Sequence, residues 1–447
     1  MKKLIALLLA AMMVLGMAAC AKTADTADTP TDSQTDTTAD VQQPADAAES
    51  TEDTADTAAE PVTIRVFSNL TDRTSGQGLI EQMLFDNYTA ENPNVTIEVE
   101  ALDDESYKTK FKAYASGSSM PDLVNIWCSP SFLDEVVAAN VLAPLNADDY
   151  ADYGFADGSL AGVTYDGQLY GLPRNTDVLG FYYNKDMFEQ YGLSVPTTWD
   201  ELVAVCKTLN DNGVAGIAMD GQDGWVLAHF INCMTGTILG ADTYDVMLSS
   251  VKNGDYSNPA WETSVSAAAE NASVLFQTGF ETTDYGTAMN LFVNGQAGMF
   301  FMGSWEMSMS PDFAVGHFPM PDVDGDGQGV IGAYNGGGYA VSANSAVKDE
   351  AVKLLNYMFR PENWSRLTWE NGVCMSAQDF SSYLTGNETE LQTEIINDLN
   401  NASGITGMTY NDLGSSAYKT ICETSTTEVL AGMISVEDYF TALSSAN

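Results

Sequence analysis

Two histidines and six cysteines are the whole stock of soft metal ligands and strong nucleophiles in this 447-residue chain. His229 and His317 stand far apart without a partner pattern, so neither a zinc site nor a histidine-dependent triad is indicated. Cys128, Cys206, Cys233, Cys374 and Cys422 have no metal-ligand spacing and are odd in number. They read as buried small hydrophobes, with one long-range bridge left open. No G-x-S-x-G motif and no P-loop occurs. Cys20 is a different case. It follows Lys2, Lys3, an apolar run from Leu4 to Val14, and Gly16-Met17-Ala18-Ala19, which is the plan of a secretory signal peptide. A cysteine at that cut resembles a bacterial lipobox, whose chemistry is lipid modification of the thiol at the new N-terminus; the alternative is a plain signal peptide with an incidental cysteine. The apolar run is shorter than the roughly 20 residues of a membrane span. Residues 1–19 are therefore expected to be a leader, and Cys20 an anchor that holds the body at the outer face of a membrane.

Carboxylates are the other reactive groups in quantity. Asp322-Val323-Asp324-Gly325-Asp326-Gly327 begins like a calcium loop, but the twelfth position, where a Glu is needed, is Ala333. The turn reads as solvated, and no metal or cofactor is expected. With 62 acids, a glycosidase-like pair can always be drawn. Composition alone leaves an extracellular hydrolase open.

The formal charge of −45, with only five arginines, leaves no basic stripe for nucleic acid. It favours a neutral or cationic ligand and a soluble monomer. Residues 21–60 carry eleven acids against Lys22, no aromatic residue, and Val41 as the one large aliphatic. Such a segment cannot bury enough apolar surface to offset ordering, so 20–60 reads as a lipidated Cys followed by a disordered acidic tether. Stretched out, it would reach roughly 130–140 Å. Residues 61–447 exceed a usual single core, so two lobes are expected.

The elements that would position a site can be followed along the chain. Val62 to Phe67 alternates as a strand, Leu79–Tyr88 has helical spacing, and Val95–Val99 alternates again. This is a β-loop-α-β unit, the building block of a parallel α/β sheet. A helix near 107–115, a buried strand at 122–127 and a helix at 132–139 follow. Next come a strand at 179–184, a helix from Thr198 with a capping box to Glu201, and a strand at 298–302 that stops at Gly303-Ser304-Trp305. Late in the chain are a strand at 338–342 and a helix at 350–359.

Six segments, in this order, make a specific resemblance. They are Met120-Pro121-Asp122-Leu123-Val124; Leu169-Tyr170-Gly171-Leu172-Pro173; Tyr182-Tyr183-Asn184-Lys185-Asp186-Met187-Phe188; Pro196-Thr197-Thr198-Trp199-Asp200-Glu201-Leu202; Asn294-Gly295-Gln296-Ala297-Gly298-Met299; and Gly336-Gly337-Gly338-Tyr339-Ala340-Val341. Together they resemble the extracellular solute-binding proteins of ABC importers, in the carbohydrate-binding, maltose-binding-protein class and in its lipoprotein form. The resemblance implies a two-lobed α/β periplasmic-binding-protein-like fold (class II) with ligand held in the cleft between lobes, and an ABC permease as membrane partner. It also implies the division of the chain. Residues 61–175 and 333–390 would form the first lobe, and 176–332 and 391–447 the second. Crossings would lie near Pro173–Leu179, near Val330–Gly338 and around 380–405. Pro173, Gly336, Gly337 and Gly338 are the expected hinge, glycine being chosen for backbone freedom.

Within that frame the ligand would be a sugar, which needs flat aromatic faces and polar side chains for its hydroxyls. Trp305, beside Glu306, is the leading candidate; the family commonly stacks such a tryptophan on the sugar, although Ser304 replaces a frequent proline. Trp127 ends a strand, Trp225 sits in a polar loop, and Tyr339 stands at a crossing. Asn69 and Arg73 follow the first strand, where open α/β sheets place ligands. Arg174, Asn175 and Asp177 lie at the first crossing. Asp104 and Asp122 read as surface and cap residues, and Trp199, Trp261, Trp364 and Trp369 as packing. A polyamine-binding protein of the same fold, and less so a carbohydrate-active enzyme, are the competing readings.

Overall fold

The computed structural model describes residues 60–117, 119–156, 158–325 and 329–446. The leader, Cys20 and the tether up to residue 59 lie outside the described residues, as does Asp326 of the Asp-rich turn. Alternation in the first segment sets β1 (Val62–Ser68): Ile64 and Val66 are buried while Thr63 and Arg65 are exposed. Helix Gly76–Glu91 returns the chain to β2 (Val95–Ala101), parallel to β1, since parallel neighbours need a crossover connection. β3 (Leu123–Trp127) lies on the other side of β1. A small hairpin, β4 (Thr164–Tyr165) with β5 (Gln168–Leu169), precedes β6 (Leu172–Pro173).

The chain then enters a second sheet. Its strands are β7 (Thr176–Asn184), β8 (Ala215–Ala218), β9 (Ala297–Gly303), β10 (Val315–Phe318) and β11 (Val330–Asn335). It returns to the first sheet as β12 (Gly337–Val341) and later adds β13 (Gly404–Ile405) to the second. The first sheet has the order β2-β1-β3-β12-β6, and the second β13-β11-β7-β9-β8 with β10 also pairing β7. Helices are placed by local signals. Thr198 and Glu201 form the expected capping box of helix Trp199–Asp211, whose buried face is Trp199, Leu202, Val205, Cys206 and Leu209.

Two separate apolar cores result. One gathers Ile64, Val66, Leu84, Tyr107, Phe111, Leu123, Tyr339 and Trp364; the other gathers Phe181, Leu202, Phe230, Trp261, Phe300, Phe301, Tyr410 and Tyr439. Each is a lobe. All five described cysteines are buried and unpaired. No described helix is long and apolar enough to cross a membrane.

One expected boundary shifts. Ala333, Tyr334 and Asn335 belong to β11, paired with Val178, Asp177 and Thr176, so the second crossing is at Gly336, inside the expected Val330–Gly338 stretch but three residues after the expected boundary at 332. Ahead of the third crossing, expected around 380–405, the chain touches both lobes, and Gln378 and Asp379 still pair with Phe155 and Gly154 of the first. Cys374 packs in the first core and Met375 in the second, and Ser376 bridges Asn175 beside the first crossing. Glycines 336–338 are required by space and not by backbone angle, since none has a positive φ. A Cβ on Gly337 would lie about 2.7 Å from the Arg174 guanidinium, and one on Gly338 about 2.5 Å from the Leu172 carbonyl.

Candidate functional site

β9 is buried along its whole length and ends at Gly303, where a side chain would run into the Trp305 ring. The short turn Ser304–Glu306 is fixed to β7 by the Val178 N–H donating to Ser304 Oγ at 3.0 Å. Trp305 is thereby projected past the sheet end. Its Nε1 donates to the Tyr285 hydroxyl at 3.1 Å, and that hydroxyl donates to the Glu306 carboxylate. Trp225 is the first residue of helix Trp225–Leu239, not part of a loop; the turn into it needs Gly224 at φ +75°. Its ring stacks on Tyr285 at 5.9 Å and lies 6.0 Å from Trp305. His229, one turn on, contacts Trp225 and also Tyr334 at 5.6 Å. Five rings from four elements of the second lobe thus form one patch, each partly or wholly buried.

The first lobe faces this patch with the ends of its strands. Asp104, at the start of helix Asp104–Ala115, accepts from Asn69 Nδ2 at 2.8 Å, and its charge helps push the Tyr285 and Tyr334 hydroxyls upward after burial has done most of it. Asp104 is therefore at the cleft and not merely on the surface. Asp122 is buried, bonded to the Arg65 N–H and to Ser345. Trp127 leans on Tyr107 and Phe132, with Lys108 Nζ 5.0 Å from its ring centre. Arg174 spans the crossing: Nη1 donates to Asn69 Oδ1 at 3.1 Å and Nε to Asn175 Oδ1 at 3.2 Å.

Burial sets the electrostatics. It lifts the Glu306 carboxyl to about 7, with the Tyr285 bond opposing. It lifts Asp177 to about 7 against Arg174, the Asn175 amide and the Gly336 N–H. Asp220 is pushed up by burial and by neighbouring Asp223, and its Oδ2 has no partner among the described residues.

Two sequence candidates are not brought to the patch. Tyr339 is fully buried in the first core against Phe359 and Trp364, and its hydroxyl donates to Glu81 at 2.5 Å. Arg73 turns back onto its own helix, to Glu81 and Gln82. Both serve the buried Glu81 carboxylate. Tyr285, His229 and Tyr334 escaped the sequence reading. Tyr334 had a signal, since it stands two residues before the Gly336 crossing and strand alternation turns it toward the cleft; Tyr285 had none, being joined to Trp305 only through the fold.

Tyr334 also borders a second interlobe space of about 550 Å³, walled by Tyr165, Tyr244, Leu399 and Met408. That volume suits a small ligand, but its walls are largely apolar. The ring patch combines aromatic faces with carboxylates and is the better match to a polyhydroxylated ligand. Among the described residues no group of three or more His, Cys, Asp or Glu is placed to hold a metal ion.

The model of the bacterial extracellular solute-binding proteins matches residues 69–363. The chain is 24% identical over 282 residues to the multiple sugar-binding protein of Streptococcus mutans; the match covers 61% of this chain and 66% of that protein, just under two thirds of its length. Its fold is similar to that of a chitin oligosaccharide binding protein, with TM-score 0.76 and 23% identity over 87% of this chain and 98% of the other. It is also similar to a structure from work on xylan utilization by Caldanaerobius polysaccharolyticus, with TM-score 0.77 and 23% identity, covering 86% of this chain and 99% of that one. These likenesses establish a two-lobed α/β binding-protein fold.

Proposed function

This chain belongs to the bacterial extracellular solute-binding proteins of ABC importers, and we propose that it captures a sugar or short oligosaccharide by lobe closure and delivers it to a membrane permease. In this reading it performs no chemistry of its own and works as a monomer held by a lipid on Cys20. The observation that carries the reading is the patch of Trp225, Tyr285 and Trp305 with Glu306, reached from the other lobe by the charge of Asp104, which Asn69 holds. Rings stack on the C–H faces of a pyranose, and carboxylates accept from its hydroxyls. A ligand touching both lobes supplies the differential affinity that closure requires. The S. mutans relative, named for multiple sugars, agrees with this class.

The carboxylates Asp104, Asp177 and Glu306 favour one alternative, a polyamine held by acids and rings. A thermal-shift screen of saccharides against polyamines separates the two, and labelled oligosaccharides report any turnover. Stabilisation by a saccharide without turnover supports the proposal; stabilisation by polyamines alone, or cleavage, overturns it.

A further inference from the structure

Helix Pro130–Ala138 of the first lobe begins after Ser129, which stands at the N-cap yet accepts no bond from a backbone N–H of that helix. A serine there ordinarily accepts from an N–H of the first turn, a bond worth about fivefold in helix stability. Here Ser129 Oγ instead contacts Ser131 Oγ at 3.0 Å, and both hydroxyls turn to Asp412 of the second lobe. Ser131 Oγ donates to Asp412 Oδ1 at 2.6 Å, and Ser129 Oγ lies 3.4 Å from the same atom. Asp412 is 9% exposed. Its charge is met inside its own lobe by Lys419 Nζ at 2.9 Å, which also reaches Glu423 at 2.7 Å. Burial would raise its carboxyl, but Lys419, His229 and Ser131 outweigh that and keep it ionised.

This arrangement suits a contact that is made and broken. Separating the lobes does not strand the Asp412 charge, because Lys419 travels with it; Asp412 loses only the two serine donors. The Asp412 side is coupled to the ring patch, since His229 touches Trp225 and Tyr334 while its Nε2 faces Asp412 Oδ2 at 4.0 Å. We propose that Ser129, Ser131 and Asp412 form a latch that holds the lobes closed before any ligand arrives. The diverted cap serine and the self-compensated carboxylate are the observations that carry it. Neither depends on what the cleft binds.

Hydrogen bonds to a charged group are strong enough that losing both donors should lower the closed-to-open ratio by about tenfold or more. The test uses the full chain carrying Cys20→Ala, spin-labelled at Lys112→Cys on the first lobe and Thr282→Cys on the second, both exposed. The native described cysteines are buried and should not label. Pulsed electron–electron distance measurements on ligand-stripped protein should show a dominant short distance. Ser129→Ala/Ser131→Ala should move at least half the population to a longer one. Ser131→Ala alone should give a smaller shift in the same direction. Ser416→Ala, which removes only the exposed Ser416–Glu135 bond between the same lobes, should leave the distribution unchanged. A folded double variant with the parent's distances overturns the latch, as does an equal opening by Ser416→Ala.

Discussion

Replacing Glu306 by glutamine should remove a large share of the protein's stability loss between acid and neutral pH. Burial raises the Glu306 carboxyl from 4.5 to about 7. Between those values the unfolded chain has released a proton that the folded chain still holds, so stability falls as pH rises through the window and stays lower above it. The size follows from about 1.4 kcal/mol for each pH unit of displacement, which gives about 3 kcal/mol. A Gln at 306 keeps an oxygen for the Tyr285 hydroxyl but carries no proton to lose. Urea midpoints of parent and Glu306→Gln should therefore nearly agree at pH 5 and diverge by about 3 kcal/mol at pH 8, with the variant the more stable. Asp177 is also lifted to about 7 but titrates in both proteins, so the difference between them isolates Glu306. Parallel pH profiles would refute the reasoning, because they would mean that Glu306 ionises freely and is not enclosed by the ring patch.

Trp305→Ala should weaken saccharide binding by about 2 kcal/mol or more, roughly thirtyfold, while the unliganded melting temperature moves only a few degrees; a large stability loss with normal affinity would make it a core residue instead. Tyr339→Phe should do the reverse. It removes a donor from the buried Glu81 carboxylate, costing about 1–3 kcal/mol in denaturation and leaving affinity unchanged, so an affinity loss without destabilisation would return Tyr339 to the cleft. Cys20→Ala should release the protein from the membrane fraction with unchanged affinity in calorimetry, and a variant that stays membrane-bound would contradict the anchor.

The sequence showed best what is local. Alternation located β1 and β2, a short apolar run located β3, and the Thr198/Glu201 box located a helix start, because each depends on neighbours a few residues away. Trp305 was legible for a similar reason, since a glycine-ended apolar strand must release the next large side chain at the sheet edge. Residues whose position depends on partners distant in sequence were misread. Tyr339 sits next to the crossing glycines, but the pairing of β12 with β3 turns it into the core. Arg73 is on a well-placed loop, yet a buried Glu81 eight residues on claims it. Asp104 looked like a cap because its partner Asn69 comes from another strand end. Gly336–Gly338 were singled out for backbone freedom, but it is crowding by Asp177, Arg174 and Leu172, and not backbone angle, that excludes side chains there.

Calorimetric titration of the chain with neutral xylo- and chito-oligosaccharides, beside spermidine, tests the central claim most directly. At least one saccharide should bind with one-to-one stoichiometry and a negative heat-capacity change, and Trp225→Ala/Trp305→Ala should abolish the signal while the protein stays folded. Saturation by spermidine with every saccharide silent, or saccharide binding that survives loss of both tryptophans, would contradict it.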